Sequence, residues 1–232
     1  MRQIIALGGG GFSMEPDNPL LDEYILRQST KEKPEICFIP TASGDSDNYI
    51  SRFYHAFKSH NCVPSHLSLF NPPARDLEGY LLSKDIIFVG GGNTKNLLAL
   101  WKEWKLDQVM KQAWNQGIIL SGISAGALCW FEEGVTDSFG DGVEPIKCLG
   151  FLKGSHCPHY EGEELRRPSY NRYIQTKTIQ GGIAADDGVA LHYINEELKH
   201  IVSSRPSASA YRVKEYQGKI VEEKLKTYYL GE

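Results

Sequence analysis

The chain of 232 residues carries a formal net charge of −4, and 41% of its residues are hydrophobic and 23% charged. This composition predicts a folded globular protein and excludes a disordered chain. The mildly acidic balance, without a block of basic residues, disfavours nucleic acids and anionic membranes as partners. Because a domain usually has about 100–200 residues, we expect a single domain over residues 1–232.

The hydropathy of the chain gives no sign of a membrane segment. No apolar run reaches the roughly 18 residues needed to span a bilayer, and the first residues lack the long apolar stretch of a signal peptide. We therefore expect a cytoplasmic protein without a membrane partner.

The cysteines are Cys37, Cys62, Cys129, Cys148 and Cys157. Their odd number and the lack of CxxC spacing disfavour a disulfide framework or a zinc site. The simplest interpretation is a set of small, mostly buried thiols.

Short apolar runs that end in glycine, proline or turn residues alternate with helical patterns. The runs are Ile4–Leu7, Ile36–Ile39, Ile86–Val89 and Ile118–Leu120. The helical patterns are Pro19–Gln28, Tyr49–Lys58, Asn96–Trp104 and Leu106–Trp114. Apolar runs of this length are typical of parallel strands covered on both faces. The alternation predicts an α/β fold with a doubly wound, mostly parallel sheet flanked by helices.

The pattern changes after about residue 140. Val189–Ile194 has the composition of a strand, and Ala210–Val213 and Ile220–Leu225 flank a turn at Gln217-Gly218. Two apolar runs around such a turn predict a β-hairpin. We expect antiparallel strands near the C-terminus that complete or cover the sheet.

Glycines cluster where the predicted strands end: at Gly8–Gly11, at Gly90–Gly92, and around Gly122 and Gly126. In an open α/β sheet, ligands bind beyond the carboxyl ends of the strands. Glycine at these places allows a sharp turn and a close approach of the backbone to a ligand. Three clusters favour a site over three unrelated tight turns.

The segment Gly122-Ile123-Ser124-Ala125-Gly126 has the form GxSxG. It lies between a predicted strand, Gly117–Ser121, and the apolar stretch Ala127–Phe131, which we expect to begin a helix. This is the context of a nucleophile elbow, in which a strained turn exposes a serine, and the Ala125 N–H is placed to stabilise an oxyanion. The alternative is a serine that caps a helix.

A serine nucleophile needs a histidine base and an acid that orients the base. The candidate bases are His156, His159, His192 and His200, and the candidate acids are Asp137, Asp141, Asp186 and Asp187. Spacing alone does not choose between His156 and His159, and paired aspartates at a turn are often solvated.

Four motifs, in order and spacing, resemble peptidase family S51, which includes peptidase E and cyanophycinase. They are Gly90-Gly91-Gly92-Asn93-Thr94, Gly122-Ile123-Ser124-Ala125-Gly126, Pro158-His159 and Ala185-Asp186-Asp187-Gly188. The resemblance implies a fold like that of the class I glutamine amidotransferases. Those enzymes have cysteine at the nucleophile position, so serine speaks against glutaminase chemistry.

The resemblance also implies roles for individual residues. Ser124 matches the nucleophile and His159 the base, while Asp187 is the best match to the third member, with Asp186 as the alternative. Gly91 or Gly92 would share the oxyanion hole with Ala125.

The implied activity is hydrolysis of small peptides, above all dipeptides with N-terminal aspartate, without a metal ion or other cofactor. The implied partner is a small peptide substrate, and the implied assembly is a monomer or homodimer. The positions implied in substrate binding are Asn93, Asp137, Arg166 and Arg167.

Two alternatives remain open from the sequence. One is an esterase like the α/β-hydrolases, with His192 or His200 as the base. The other is a non-catalytic protein that binds a small ligand on the same scaffold.

Overall fold

The apolar runs of the sequence form the central strands of a large sheet in the computed structural model, which describes residues 1–231. The strands are β1 (Gln3–Leu7), β2 (Glu35–Ile39), β3 (Val63–His66), β4 (Ile86–Val89), β5 (Ile119–Ile123), β6 (Phe131–Thr136), β7 (Glu144–Lys147), β8 (Leu152–Cys157), β9 (Gly182–Ala185), β10 (Val189–Ile194), β11 (Glu197–Ser203), β12 (Ala210–Tyr216), β13 (Lys219–Leu225) and β14 (Tyr228–Tyr229).

Four helices agree with the predicted ones to within a few residues, three were not predicted, and one expected helix is an exception. The helices are α1 (Gly11–Met14), α2 (Leu20–Leu26), α3 (Asp47–Phe57), α4 (Leu77–Leu82), α5 (Thr94–Glu103), α6 (Leu106–Gln116), α7 (Ala125–Leu128) and α8 (Arg166–Gln175). The exception is the stretch Ala127–Phe131, where α7 ends after one turn and Phe131 already pairs with Leu152 in β6 and β8. Over residues 1–231, no helix is long and apolar enough to cross a membrane.

The first sheet has the order β14-β11-β10-β1-β5-β4-β2-β3. The strands from β1 to β3 in this order run parallel, and β10 pairs antiparallel with both β1 and β11. The short β14 pairs parallel with β11 at the edge. This confirms the predicted mostly parallel sheet and the antiparallel Val189–Ile194 strand. Helices cover the sheet, as the apolar composition of both strand faces requires.

A second sheet, with the order β13-β12-β9-β8-β6-β7, was not predicted. Its strands mix apolar residues with polar residues and glycine, as in the Lys153-Gly154-Ser155 segment of β8, so they do not read as apolar runs. The predicted hairpin is confirmed, with Gln217 and Gly218 both at positive φ as a tight two-residue turn requires. It belongs to this second sheet and does not extend the first.

Alternate residues of the central strands pack into two different hydrophobic clusters, one on each face of the first sheet. Ile4 and Ala6 of β1 pack into the cluster on one face of the first sheet, and Ile5 and Leu7 pack into the cluster on the other. A third cluster, which includes Tyr170 of α8, packs on the second sheet. Because β1 is covered on both faces, the loop that follows it starts from a rigid support.

The cysteines are free thiols, and all but Cys148 are buried, as the sequence predicts. Burial raises the pKa of Cys37 to about 12 and raises those of Cys129 and Cys157 further above the usual range of a thiol.

One carboxyl group lies buried beneath the loop that follows β1. Asp22 in α2 is 2% exposed, and its Oδ1 atom has no hydrogen-bond partner within residues 1–231. Gly11, at φ 55°, passes so close that a Cβ atom there would lie 3.1 Å from this oxygen. Burial, with a smaller contribution from Glu15 and Glu23, raises the pKa of Asp22 to about 7, although the Phe12 amide opposes the shift.

Replacing Asp22 by asparagine should stabilise the protein, and more so at higher pH. The folded-state pKa lies above the value of 3.8 for a free aspartate, so the folded state binds more protons and stability is lost as the pH rises towards 7. At about 1.4 kcal/mol per pKa unit, Asp22→Asn should raise the free energy of unfolding by about 2–3 kcal/mol more at pH 8 than at pH 5. Urea unfolding at both pH values measures this. The control is Asp17→Asn, an exposed position between α1 and α2, and an effect of Asp22→Asn that is equal at both pH values would contradict the prediction.

Candidate active site

The three glycine clusters lie together at one edge of the first sheet. The strands β1, β5 and β4 are neighbours in that order, and their carboxyl ends lead directly into Gly8, Ser124 and Gly90. The backbone N–H of Ser124 donates to the carbonyl oxygen of Leu7 at 3.1 Å, which joins two of these strand ends. The site expected from the sequence therefore lies beyond the carboxyl ends of parallel strands, where ligands bind in open α/β sheets.

Ser124 has the geometry of a nucleophile elbow. Its backbone lies at φ 56° and ψ −114°, a strained conformation between the end of β5 and the start of α7. A Cβ atom at Gly122 would lie 2.2 Å from the Gly126 carbonyl oxygen, and one at Gly126 would lie 2.2 Å from that of Val89. Glycine is thus required on both sides of the serine, whose side chain lies at a partly exposed position between buried neighbours.

His159 and Asp187 form a hydrogen-bonded pair beside the end of β1. The His159 Nδ1 and Asp187 Oδ1 atoms are 2.6 Å apart, and both side chains are largely buried. The His159 N–H donates to the Gly8 carbonyl oxygen at 3.1 Å. A Cβ atom at Gly9 would lie 2.0 Å from Asp187 Oδ1, so only glycine at that position leaves room for the pair.

The bond to Asp187 fixes which ring nitrogen of His159 is available for proton transfer. A carboxylate on Nδ1 favours the tautomer with the proton on Nδ1, which leaves Nε2 as the acceptor. Within residues 1–231, Ser124 Oγ and the His159 ring make no direct hydrogen bond. Catalytic hydrogen bonds are often long before substrate binds.

Asp186 makes different contacts from Asp187. Its Oδ2 atom accepts from the Ser209 N–H at 3.0 Å, and its own N–H donates to the Ser209 carbonyl oxygen. Burial raises the pKa of Asp186. The geometry therefore pairs His159 with Asp187, while Asp186 fastens the start of β12.

His156 is a structural residue of β8. It is fully buried, its ring stacks on Phe131 at 4.5 Å between centroids, and its Nδ1 lies 2.8 Å from the Ile183 carbonyl oxygen. Burial lowers the pKa of His156 to about 4, so the ring is neutral near pH 7. The structure thereby separates the two histidines that spacing alone leaves equivalent.

The bases considered for an esterase lie elsewhere. His192 pairs with Ile5 in the middle of β1, and both of its ring nitrogens are engaged, by the Tyr24 hydroxyl at 2.8 Å and by Gln3 Oε1 at 2.9 Å. Burial lowers its pKa to about 4. His200 of β11 packs beside the His192 ring, so neither is placed at the carboxyl ends of the strands.

The loop after β4 lies directly against Ser124. A Cβ atom at Gly91 would lie 3.2 Å from the Ser124 Cβ atom. The Gly91 N–H donates to the Tyr49 hydroxyl at 3.3 Å, whereas no acceptor within residues 1–231 takes the N–H groups of Gly92 and Ala125. Of the three candidate oxyanion donors, Gly92 and Ala125 are the two that remain available.

Asn93 and Asp137 contribute to a chain of contacts between the loop after β4 and helix α8. Asn93 caps α5 by accepting from the Asn96 N–H at 2.8 Å, and it donates to the Ser138 carbonyl oxygen at 3.1 Å. The neighbouring Asp137 is exposed and lies 3.3 Å from Nη2 of Arg166. The Asp137–Ser138 segment therefore links the loop after β4 to helix α8.

The two candidate arginines have different surroundings. Arg166 is buried, and it donates to Glu163 at 2.6 Å and to the Val135 carbonyl oxygen at 3.0 Å in addition to its contact with Asp137. Arg167 is bound by two glutamates and stacks on two tyrosine rings; these four are Glu161, Glu222, Tyr160 and Tyr211. The structure thus groups Arg166 with Asp137 and places Arg167 in a separate cluster.

Sequence reasoning missed the contacts of Tyr49 and Gly9 with this site. Tyr49 reads as one of several apolar residues on the buried side of α3, and nothing in its spacing distinguishes its hydroxyl. Gly9 is part of a recognised cluster, but its contact with Asp187 depends on a residue 178 positions away.

Comparison with known proteins agrees with this geometry. The family model for peptidase family S51 matches residues 4–201. The chain is 61% identical over 231 residues to the uncharacterized peptidase YgaJ of Bacillus subtilis (strain 168), with 100% of both chains covered.

Two solved structures show the same fold at 18% identity. A peptidase from an acI-B1 Actinobacterium is similar with a TM-score of 0.67, over 100% of this chain and 96% of the other. A putative peptidase E protein from Listeria monocytogenes EGD-e is similar with a TM-score of 0.58, over 97% of this chain and 100% of the other. The architecture is consistent with the class I glutamine amidotransferase-like fold that the sequence predicts. Together with the extent of the family match and the high identity to a bacterial peptidase, this establishes that the chain belongs to peptidase family S51.

Proposed function

We propose that this peptidase is a serine peptidase that hydrolyses small peptides through Ser124, His159 and Asp187. One observation carries the proposal: the hydrogen bond of 2.6 Å between His159 and Asp187 lies against the same strand end that holds the strained Ser124 backbone. A nucleophile on an elbow, a histidine and a carboxylate on that histidine are the parts that acyl transfer by serine requires.

The proposed reaction begins with proton transfer. His159 Nε2 takes the proton of Ser124 as its Oγ atom attacks the peptide carbonyl carbon, and the N–H groups of Gly92 and Ala125 stabilise the oxyanion. His159 then gives the proton to the leaving amine as the C–N bond breaks. Water, activated by His159, hydrolyses the acyl-enzyme and restores the serine. Throughout, Asp187 accepts the hydrogen bond from the His159 Nδ1–H and stabilises the imidazolium.

The role of Ser124 can be tested with a fluorophosphonate probe, which labels activated serines. We expect labelling of the wild type, and loss of both labelling and peptide hydrolysis in Ser124→Ala by several orders of magnitude. Ser43→Ala is the matched control, since it removes a serine hydroxyl from the turn that follows β2, two strands away from β5. Within residues 1–231 this hydroxyl bonds only the Pro40 carbonyl oxygen. Hydrolysis that survives in Ser124→Ala but is abolished by a chelator would contradict a serine mechanism.

The two adjacent aspartates provide a comparison at nearly constant sequence position. Asp187→Asn should lower kcat by roughly 10³–10⁴-fold, because an amide on Nδ1 no longer favours the productive tautomer or stabilises the imidazolium. Asp186→Asn should leave kcat within a few-fold of the wild type, since that side chain bonds Ser209. Steady-state kinetics of the two purified variants decides between them, and the opposite ranking would assign the third position to Asp186.

We propose dipeptides with N-terminal aspartate as the substrates. Arg166 supports this, because its guanidinium is buried and one of its nitrogens faces the exposed carboxylate of Asp137 at 3.3 Å. A substrate carboxylate can take the place of Asp137 there, and arginine binds carboxylates in a bidentate manner. Isoaspartyl or Asp-Arg substrates would use the same cation.

The substrate proposal is tested by a dipeptide panel that varies the first residue, measured on the wild type and on Arg166→Lys. We expect the wild type to prefer Asp-X, and Arg166→Lys to lower that preference roughly 10- to 100-fold, the value of a lost charged hydrogen bond. Arg172→Lys is the control, because Arg172 is exposed on the same helix and donates to the Tyr173 hydroxyl. A wild type without preference for Asp-X, or a preference that Arg166→Lys leaves unchanged, would refute the assignment.

A further inference from the structure

The hydroxyl of Tyr49 joins two of the three loops that form the site. Tyr49 lies on α3, is 6% exposed, and accepts the N–H of Gly91 at 3.3 Å. The same hydroxyl lies 2.7 Å from Oγ of Ser13, in the helix that follows the glycine loop of β1. The proposed mechanism assigns no task to this contact.

The ring of Tyr49 is held firmly in place. A Cβ atom at Gly90 would lie 3.0 Å from the ring, and Phe38 packs against the ring at 5.0 Å between centroids. On another side the guanidinium of Arg52 lies 5.0 Å from the ring centroid and donates to the Ser13 carbonyl oxygen at 2.9 Å. The hydroxyl therefore presents a fixed acceptor to the loop after β4.

That loop needs an external restraint. Gly90, Gly91 and Gly92 are consecutive, and glycine restricts backbone rotation less than any other residue. On its other side the loop is restrained by the Asn93 N–H, which donates to the Ala42 carbonyl oxygen at 2.7 Å and so fixes the peptide between Gly92 and Asn93. The contact with Tyr49 fixes the peptide plane between Gly90 and Gly91.

We propose that Tyr49 is a positioning residue for the oxyanion hole. By holding the Gly91 N–H it sets the orientation of the following peptide, so that the Gly92 N–H faces the reaction centre together with that of Ala125. Donors that are oriented before the reaction stabilise developing charge without reorganisation. This inference rests on the proposed serine mechanism.

The test compares Tyr49→Phe with Tyr54→Phe. Both variants remove one hydroxyl from α3, but the Tyr54 hydroxyl bonds Nδ1 of His66, at the edge strand of the sheet. The rate of fluorophosphonate labelling at Ser124 is measured as a function of probe concentration, which separates the maximal rate from the half-saturating concentration. Tyr49→Phe should lower the maximal rate roughly 10-fold or more with little change in half-saturation, and Tyr54→Phe should change neither by more than about twofold.

Equal maximal rates in Tyr49→Phe and Tyr54→Phe would overturn the inference, whether both rates match the wild type or both are lowered. If Tyr49→Phe fails to fold, Ser13→Ala is measured instead, because it removes the other partner of the Tyr49 hydroxyl. A several-fold loss of the maximal rate then supports the inference, and an unchanged rate refutes it. Failure of the serine mechanism itself is distinguished by labelling that persists in Ser124→Ala.

Discussion

The backbone at the end of β1 is the constraint on which the site depends. Two consecutive carbonyl oxygens, those of Leu7 and Gly8, accept the N–H groups of Ser124 and His159. A third, that of Gly9, accepts the N–H of Gly188, the residue that follows Asp187. Because β1 is buried on both faces in the middle of the first sheet, these three acceptors are fixed relative to one another. Ser124, His159 and Asp187 are thus arranged by main-chain hydrogen bonds as well as by their own side chains.

Small residues make this arrangement possible. The glycines near the site do more than permit turns. At several of them, a side chain would occupy the space that a neighbouring residue of the site fills. Gly9 and Gly162 each leave space for the carboxylate of Asp187, and Gly91 leaves space for Ser124. At such positions even alanine forces the backbone or the side chain of Asp187 or Ser124 to move, and a closely packed interior has no free space to receive it.

Much of the fold and part of the site can be predicted from the sequence, and the limits have physical causes. The central strands are predictable because burial on both faces makes them uniformly apolar, and the elbow is predictable because its glycines and serine are local in sequence. The second sheet is not, since its strands have one exposed face or an edge and carry mixed polarity. His156 and His159 differ in their surroundings because β8 ends between them, at Cys157. Arg167 is bound by Glu222 of β13, a residue 55 positions away, and local sequence does not indicate this partner. The contact of Tyr49 with Gly91 is of the same kind, because tertiary packing alone brings α3 to the end of β4.

The strand ends that carry the site belong to different sheets. Ser124 follows β5 of the first sheet, and His159 follows β8 of the second, while Asp187 lies on the connection from β9 to β10 that passes from one sheet to the other. The distance between Ser124 and His159 is therefore set by how the two sheets pack against each other, and neither sheet determines it alone. A substitution far from the site that shifts the two sheets relative to each other by a fraction of an ångström changes the alignment of Ser124 with His159, while every strand keeps its hydrogen bonds. The rate of turnover is then more sensitive to the relative position of the two sheets than is the content of secondary structure.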